Sequence, residues 1–148
     1  MMNIENLRVD GVLTMTLHRA NGENITFCKH NMIVNGGYDL ICNALGDSSR
    51  PGVLSHIALG TGTTSVAATQ TALVAEISRL AATYAHTANT KVFTMSATFG
   101  AGVATGAITE AGVFNAASGG TMFDRITFAV INKGDDDTIT TQFTFTLS

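Results

Sequence analysis

Between Val12 and Leu17 apolar and polar residues alternate, with Leu13, Met15 and Leu17 on one side and Thr14 and Thr16 on the other. That period of two predicts a strand with one dry face. Ala20-Asn21-Gly22-Glu23 predicts a turn, and Ile25–Lys29 the return strand of a hairpin, with Asn31–Val34 extending it toward Gly36-Gly37. The period then changes: Tyr38, Ile41, Ala44 and Leu45 recur at spacings of three and four, which predicts a short helix ending at Gly46. Asp47–Gly52 reads as a loop, and Ile57–Leu59 as a brief buried strand ended by Gly60. Leu73, Ile77 and Leu80 would share one helical face, so a second short helix is predicted over Thr71–Leu80, capped by Thr71.

Beyond that point the chain reads as strands. Ala81–Thr87 is followed by Lys91–Phe99, where Phe93, Met95, Ala97 and Phe99 alternate against Val92, Thr94, Ser96 and Thr98. A glycine-rich connection, Gly100–Gly106, leads to strands at Ile108–Asn115 and Thr121–Ile131 around an Ala-Ser-Gly-Gly turn. Asn132–Asp137 is a polar turn before a last strand, Thr138–Leu147, with Ile139, Thr141, Phe143, Phe145 and Leu147 on its apolar side. Roughly seven or eight evenly spaced strands with one or two short helices predict an all-β fold, a β-sandwich with a jelly roll among its arrangements. No boundary divides residues 1–148, so one domain is expected, with residues 1–10 a polar N-terminal arm.

Composition sharpens this picture by exclusion. The 148 residues include 22 Thr and 19 Ala but only 13% charged residues, too few for exposed helix faces and well suited to pleated strands. A net charge of −3 provides no basic field for phosphates, so no nucleic acid is expected as a partner. The longest uncharged stretch, Pro51–Ala75, is broken by His56, Gly60, Gly62 and several Thr, which excludes it as a membrane span. The opening MMNIENLRVD has neither a basic region nor an apolar one, so synthesis in the cytosol is expected. Cys28 and Cys42 are then expected to be free, buried thiols.

The residues that could carry chemistry form no constellation. His18, His30, His56 and His86 lack the spacing of a zinc ligand pair, and Asp135-Asp136-Asp137 lacks the alternating oxygen ligands and distal Glu of a calcium loop, so it reads as a solvated hairpin tip. Gly60-Thr61-Gly62-Thr63-Thr64 lacks the third glycine of a dinucleotide fingerprint and the lysine of a P-loop, and reads as a turn. No nucleophile elbow or cysteine–histidine framework is present, so no catalytic, metal or cofactor-binding residue is assigned and an enzyme is not expected. Glu110 and Arg125, single charges in apolar strands, read as a strand-to-strand ion pair or as an interface contact. A threonine face on nearly every strand, with little charge, points to assembly with neighbouring subunits.

Two stretches then carry a resemblance. Ile57-Ala58-Leu59-Gly60-Thr61-Gly62-Thr63-Thr64, Thr69-Gln70-Thr71-Ala72-Leu73 and Glu76 form the first. Gly106–Asn115, Ser118–Arg125 and Ile131-Asn132-Lys133 form the second, and Asn35–Leu40 also fits. Together they resemble small structural proteins of tailed bacteriophages, over roughly residues 31–148. The resemblance implies a virion protein, most simply a capsid decoration or cement protein acting as a homotrimer on the major capsid protein. A tail, tail-fibre or baseplate component is the alternative. It also implies structural glycines: Gly60 and Gly62 at a close backbone approach, Thr109–Gly112 shaping a strand crossing, and Gly119-Gly120 at a hairpin turn.

Overall fold

The computed structural model describes residues 6–148 as two antiparallel five-stranded sheets packed face to face, with one helix. The first sheet runs β2 (Asn24–His30), β1 (Val9–His18), β10 (Thr138–Leu147), β7 (Val92–Phe99), β6 (Thr83–His86). The second runs β3 (Met32–Ile33), β9 (Met122–Lys133), β8 (Gly106–Phe114), β4 (His56–Gly60), β5 (Glu76–Ala81). The predicted β-sandwich is therefore present, with ten strands where roughly seven or eight were expected.

The first sheet obeys the alternation read from the sequence. Leu13, Met15, Leu17, Met95, Phe99, Ile139, Phe143 and Phe145 are buried, each at 1% exposure or less. They meet Ile57, Leu59, Ala111, Val113, Phe123 and Ile126 of the second sheet in one core, where each large apolar side chain contributes about 1.5–3 kcal/mol by leaving water. Phe123 packs edge-on against Phe145, ring centres 5.0 Å apart, and so joins the two layers. Outward, the same strands align hydroxyls into cross-strand rows: Thr26 opposes Thr16, Thr16 opposes Thr140, and Thr140 opposes Thr98. The centre of this outer face is a shallow hollow of about 480 Å³ bordered by uncharged residues, among them Thr14, Thr16, Thr83, Ser96, Thr98 and Gln142.

The middle of the second sheet does not alternate, because β4, most of β8 and the start of β9 are covered on both sides. The predicted helix is α1 (Asn35–Gly46), and Gly37 lets it approach β9 so closely that a Cβ there would lie 2.2 Å from the Phe123 carbonyl oxygen. Leu40 turns inward, whereas Leu45 is 79% exposed, contrary to its predicted place on the apolar face. A second cluster of Val34, Ala58, Leu73, Phe114 and Met122 forms apart from the main core.

The helix predicted over Thr71–Leu80 is absent. Glu76–Ala81 is instead strand β5, paired with β4, while Val74 and Ala75 give their N–H groups to the Glu110 carboxylate. Sheet pairing overrides the helical spacing of Leu73, Ile77 and Leu80. The strand read over Ala81–Thr87 is divided: Ala82 donates its N–H to Ser55 O and carries the chain from the second sheet (β5) into the first (β6). Asn31 does the reverse between β2 and β3.

The predicted arm is also shortened. Val9 and Asp10 belong to β1, and Arg8 exchanges two backbone hydrogen bonds with Ser148 at 2.7 and 2.9 Å. The remainder of that prediction, residues 1–5, lies outside the described residues.

Gly119 and Gly120 sit at φ +58° and +69° in the β8–β9 turn, as expected of a hairpin tip. A Cβ on Gly120 would stand 2.6 Å from the Ala116 Cβ. Gly120→Ala is therefore expected to cost about 2 kcal/mol, since a side chain in the left-handed region adds roughly 1–2 kcal/mol before the clash. Urea denaturation measures this, and a loss below about 0.5 kcal/mol would show that the turn relaxes freely.

Candidate functional site

The sequence singled out Glu110 and Arg125 as isolated charges, and the fold brings them together. Glu110 lies on β8 and Arg125 on β9, and the carboxylate Oε2 accepts from Arg125 Nε at 2.9 Å and Nη2 at 2.8 Å. Both side chains have zero exposure, so the pair is internal to the sandwich and the interface reading of these two residues is set aside. Ions so deeply buried are tolerated only when their remaining hydrogen-bonding capacity is filled. Here it is filled by the long connection from residue 61 to residue 75. Glu110 Oε1 accepts from the N–H groups of Gly62 (3.0 Å) and Ala75 (2.7 Å), and Oε2 accepts from Val74 (3.0 Å). Arg125 Nη1 donates to Thr64 O and to Gln70 Oε1, and Thr109 donates its hydroxyl to Gly62 O.

Burial alone would raise the Glu110 pKa, but the N–H groups of Ala75 and Val74, the Arg125 guanidinium and the Gly62 N–H outweigh it. The carboxyl is held below the usual glutamate value. It therefore remains charged wherever the protein is folded under ordinary conditions.

The glycines named by the resemblance fall around this centre. A Cβ at Gly60 or at Gly62 would lie 2.5 Å from Glu110 Oε1, and one at Gly112 would lie 2.8 Å from the Asp124 carbonyl oxygen. What approaches both glycines is the Glu110 side chain, joined at Gly60 by the Ala75 carbonyl oxygen, 2.6 Å from the Cβ position. Thr109–Gly112 lies within β8, where the register shifts: Ile108 stands opposite Ile131 and Glu110 opposite Thr127, so β9 carries two extra residues and bulges past Thr109.

A second buried carboxyl was not foreseen. Asp124 on β9, with no exposure, faces Asn31 at the crossover between the sheets. Its Oδ1 accepts the Val113 N–H at 2.9 Å, and Asn31 Nδ2 donates to its Oδ2. Burial pushes this carboxyl up to about 8, against the opposing effect of those two donors. A lone Asp beside an Arg inside an apolar strand was the signal available in the sequence.

Other polar residues are structural as well. Asp137 is not at a solvated tip: it is 6% exposed, accepts from the Gly134 and Ala20 N–H groups, and pairs with Arg19 at 3.1 Å. Arg79 lies over the Phe114 ring at 3.7 Å and donates to the carbonyls of Ala116 and Gly119, bracing the β8–β9 turn. His18 bonds Asn24 and Thr140, His56 bonds Ser55, and His86 bonds the Val92 carbonyl. Cys28 and Cys42 are free, but both are exposed rather than buried. Among the described residues no three His, Cys, Asp or Glu converge as a metal site, and no helix is long and apolar enough to cross a membrane.

The exposed features are therefore surfaces. One is the hydroxyl-lined face of the first sheet. Another is an apolar groove between α1 and the sandwich, lined by Leu40, Ile41, Val53, Leu54, Phe93 and Leu147, with Val53 80% exposed and Tyr84, on the adjoining hollow, 57% exposed. No protein-family model, curated protein or solved structure matches the chain.

Proposed function

We propose that this chain is a structural protein of a tailed-phage virion, acting as a capsid decoration or cement protein that binds the major capsid protein. The observation that carries this reading is where the resembling residues lie. Gly60, Gly62, Gln70, Glu110 and Arg125 build one buried anchor that fixes the 61–75 connection to the second sheet. The residues on which the resemblance rests are thus scaffold, and what they leave for partners is the threonine face and the apolar groove. The uncharged centre of the threonine face has the composition of an interface centre, where charged residues are depleted.

The mechanism is binding without chemistry. A protein that recognises only the expanded shell stabilises it by mass action, as does any ligand selective for one of two states. The test is the copy number of the chain in purified virions, measured by quantitative mass spectrometry against the major shell protein. On the order of hundreds of copies is the expected result for a lattice-bound protein, whereas about three to a few dozen would assign it to the tail, fibre or baseplate. Absence from the virion would overturn the proposal.

A further inference from the structure

Four strands lie at sheet edges, and three of them are blunted. β3 has two residues and β6 four. β5 carries Glu76 and Arg79, and its pairing with β4 is broken by a register shift at Leu59/Gly60. β2 is different: seven residues, Asn24–His30, held in unbroken register against β1 and without proline. Natural edges are commonly protected by a lysine or another charge, directed outward or inward, that a joining strand would have to bury unpaired. The one charged residue of β2, Lys29, is instead tied back across the sandwich, its Nζ donating to Thr127 O at 2.6 Å.

The hydrogen-bond parity of the hairpin identifies which backbone groups remain open. Arg19 N–H donates to Glu23 O, and Asn31 N–H donates to Gly11 O. In an antiparallel ladder, hydrogen-bonded and non-hydrogen-bonded pairs alternate. Ile25, Phe27 and Lys29 therefore bond β1, while the N–H and C=O groups of Asn24, Thr26, Cys28 and His30 point away from the sheet.

We infer that β2 pairs antiparallel with β2 of a second copy about a two-fold axis through Phe27, joining two first sheets into one ten-stranded sheet. The occupant is a second copy because the strand complements itself in this register. Asn24 meets the partner's His30 and Thr26 meets the partner's Cys28, two pairs able to hydrogen-bond and free of like charges. On the opposite face Ile25, which is 42% exposed, is covered by the aliphatic stem of the partner's Lys29, and Phe27 meets its own copy. The threonine rows of both sheets then run on across the junction. This pairing stands independently of the virion reading, and its two-fold symmetry differs from the trimer that the resemblance implies.

The test is the solution mass of the full chain by sedimentation equilibrium, with three variants. The wild type is expected at twice 15.4 kDa. Ile25→Lys sets two lysines opposite each other across the axis, and Thr26→Pro removes an outward N–H that β1 does not use. Both are expected to weaken association at least tenfold while retaining the wild-type far-UV spectrum. Thr26→Cys places a thiol opposite the partner's Cys28, at the Cα spacing of about 5.5 Å that a disulfide accepts, so mild oxidation should give a covalent dimer that the wild type forms poorly. A monomer at all accessible concentrations, a trimer, or a dimer indifferent to all three variants would overturn the pairing.

Discussion

Replacing Glu110 by alanine is expected to lower the unfolding free energy by about 3–5 kcal/mol, the usual cost of removing one partner of a buried ion pair. The loss would come from both ends of the interaction. Arg125 would keep its charge with no exposure to water, and the N–H groups of Gly62, Val74 and Ala75 would lose their shared acceptor. Urea denaturation reads the total, and limited proteolysis reads the locality, since cleavage should appear first between residues 61 and 75. The double variant Glu110→Leu/Arg125→Met should be milder than Glu110→Ala alone, because it leaves no unpaired charge in the interior. A cost below about 1 kcal/mol for Glu110→Ala would show that water reaches the pair and that the 61–75 connection is held by something else.

The second large effect is a dependence of stability on pH that Asp124 should dominate. Its carboxyl titrates at about 8 in the folded chain, against an ordinary aspartate value of 3.8. Between those two values the folded state holds a proton that the unfolded state has released, so stability falls as pH rises through that window. Above it no further loss arises from this group, and below it the contribution is fully present. At roughly 1.4 kcal/mol per unit of displacement, the whole window is worth on the order of 5 kcal/mol. Asp124→Asn should flatten the slope, because an amide is neutral throughout and its oxygen can still accept the Val113 N–H. The proton also addresses an unfilled position: Asn31 Oδ1 is buried without a hydrogen-bond partner, and a neutral Asp124 offers a donor to that amide once it is turned over. Equal slopes for the two proteins between pH 5 and 8 would sink this account.

Legibility in the sequence followed solvation. β1, β7 and β10 could be read residue by residue because one face is packed and the other meets solvent, so the period of two survives in their composition. β8 is buried from Ile108 to Phe114 on both faces, so its signal was a run of apolar residues interrupted by Glu110. The sequence suggested a partner for that charge, but the five donors that converge on it come from residues 62 to 125, a relation no local pattern carries. The failed helix at Thr71–Leu80 has the same origin. Leu73, Ile77 and Leu80 have helical spacing, yet only Leu73 is buried, and it packs in the outer cluster. Asp124 escaped notice because its importance depends on Asn31, ninety-three positions away.

The pairing of Arg8 with Ser148 has a mechanical consequence. β1 and β10 are adjacent and antiparallel, with Val9 opposite Leu147 and His18 opposite Thr138. Tension applied between these two ends therefore loads the ladder like a zipper, one pair of hydrogen bonds at a time, and meets little resistance. Tension between β2 and β3 passes instead along the single covalent link at Asn31, and between β5 and β6 along Ala82. Drawn apart at Arg8 and Ser148, the molecule is therefore expected to open first between β1 and β10, before the core shared by the two layers is loaded.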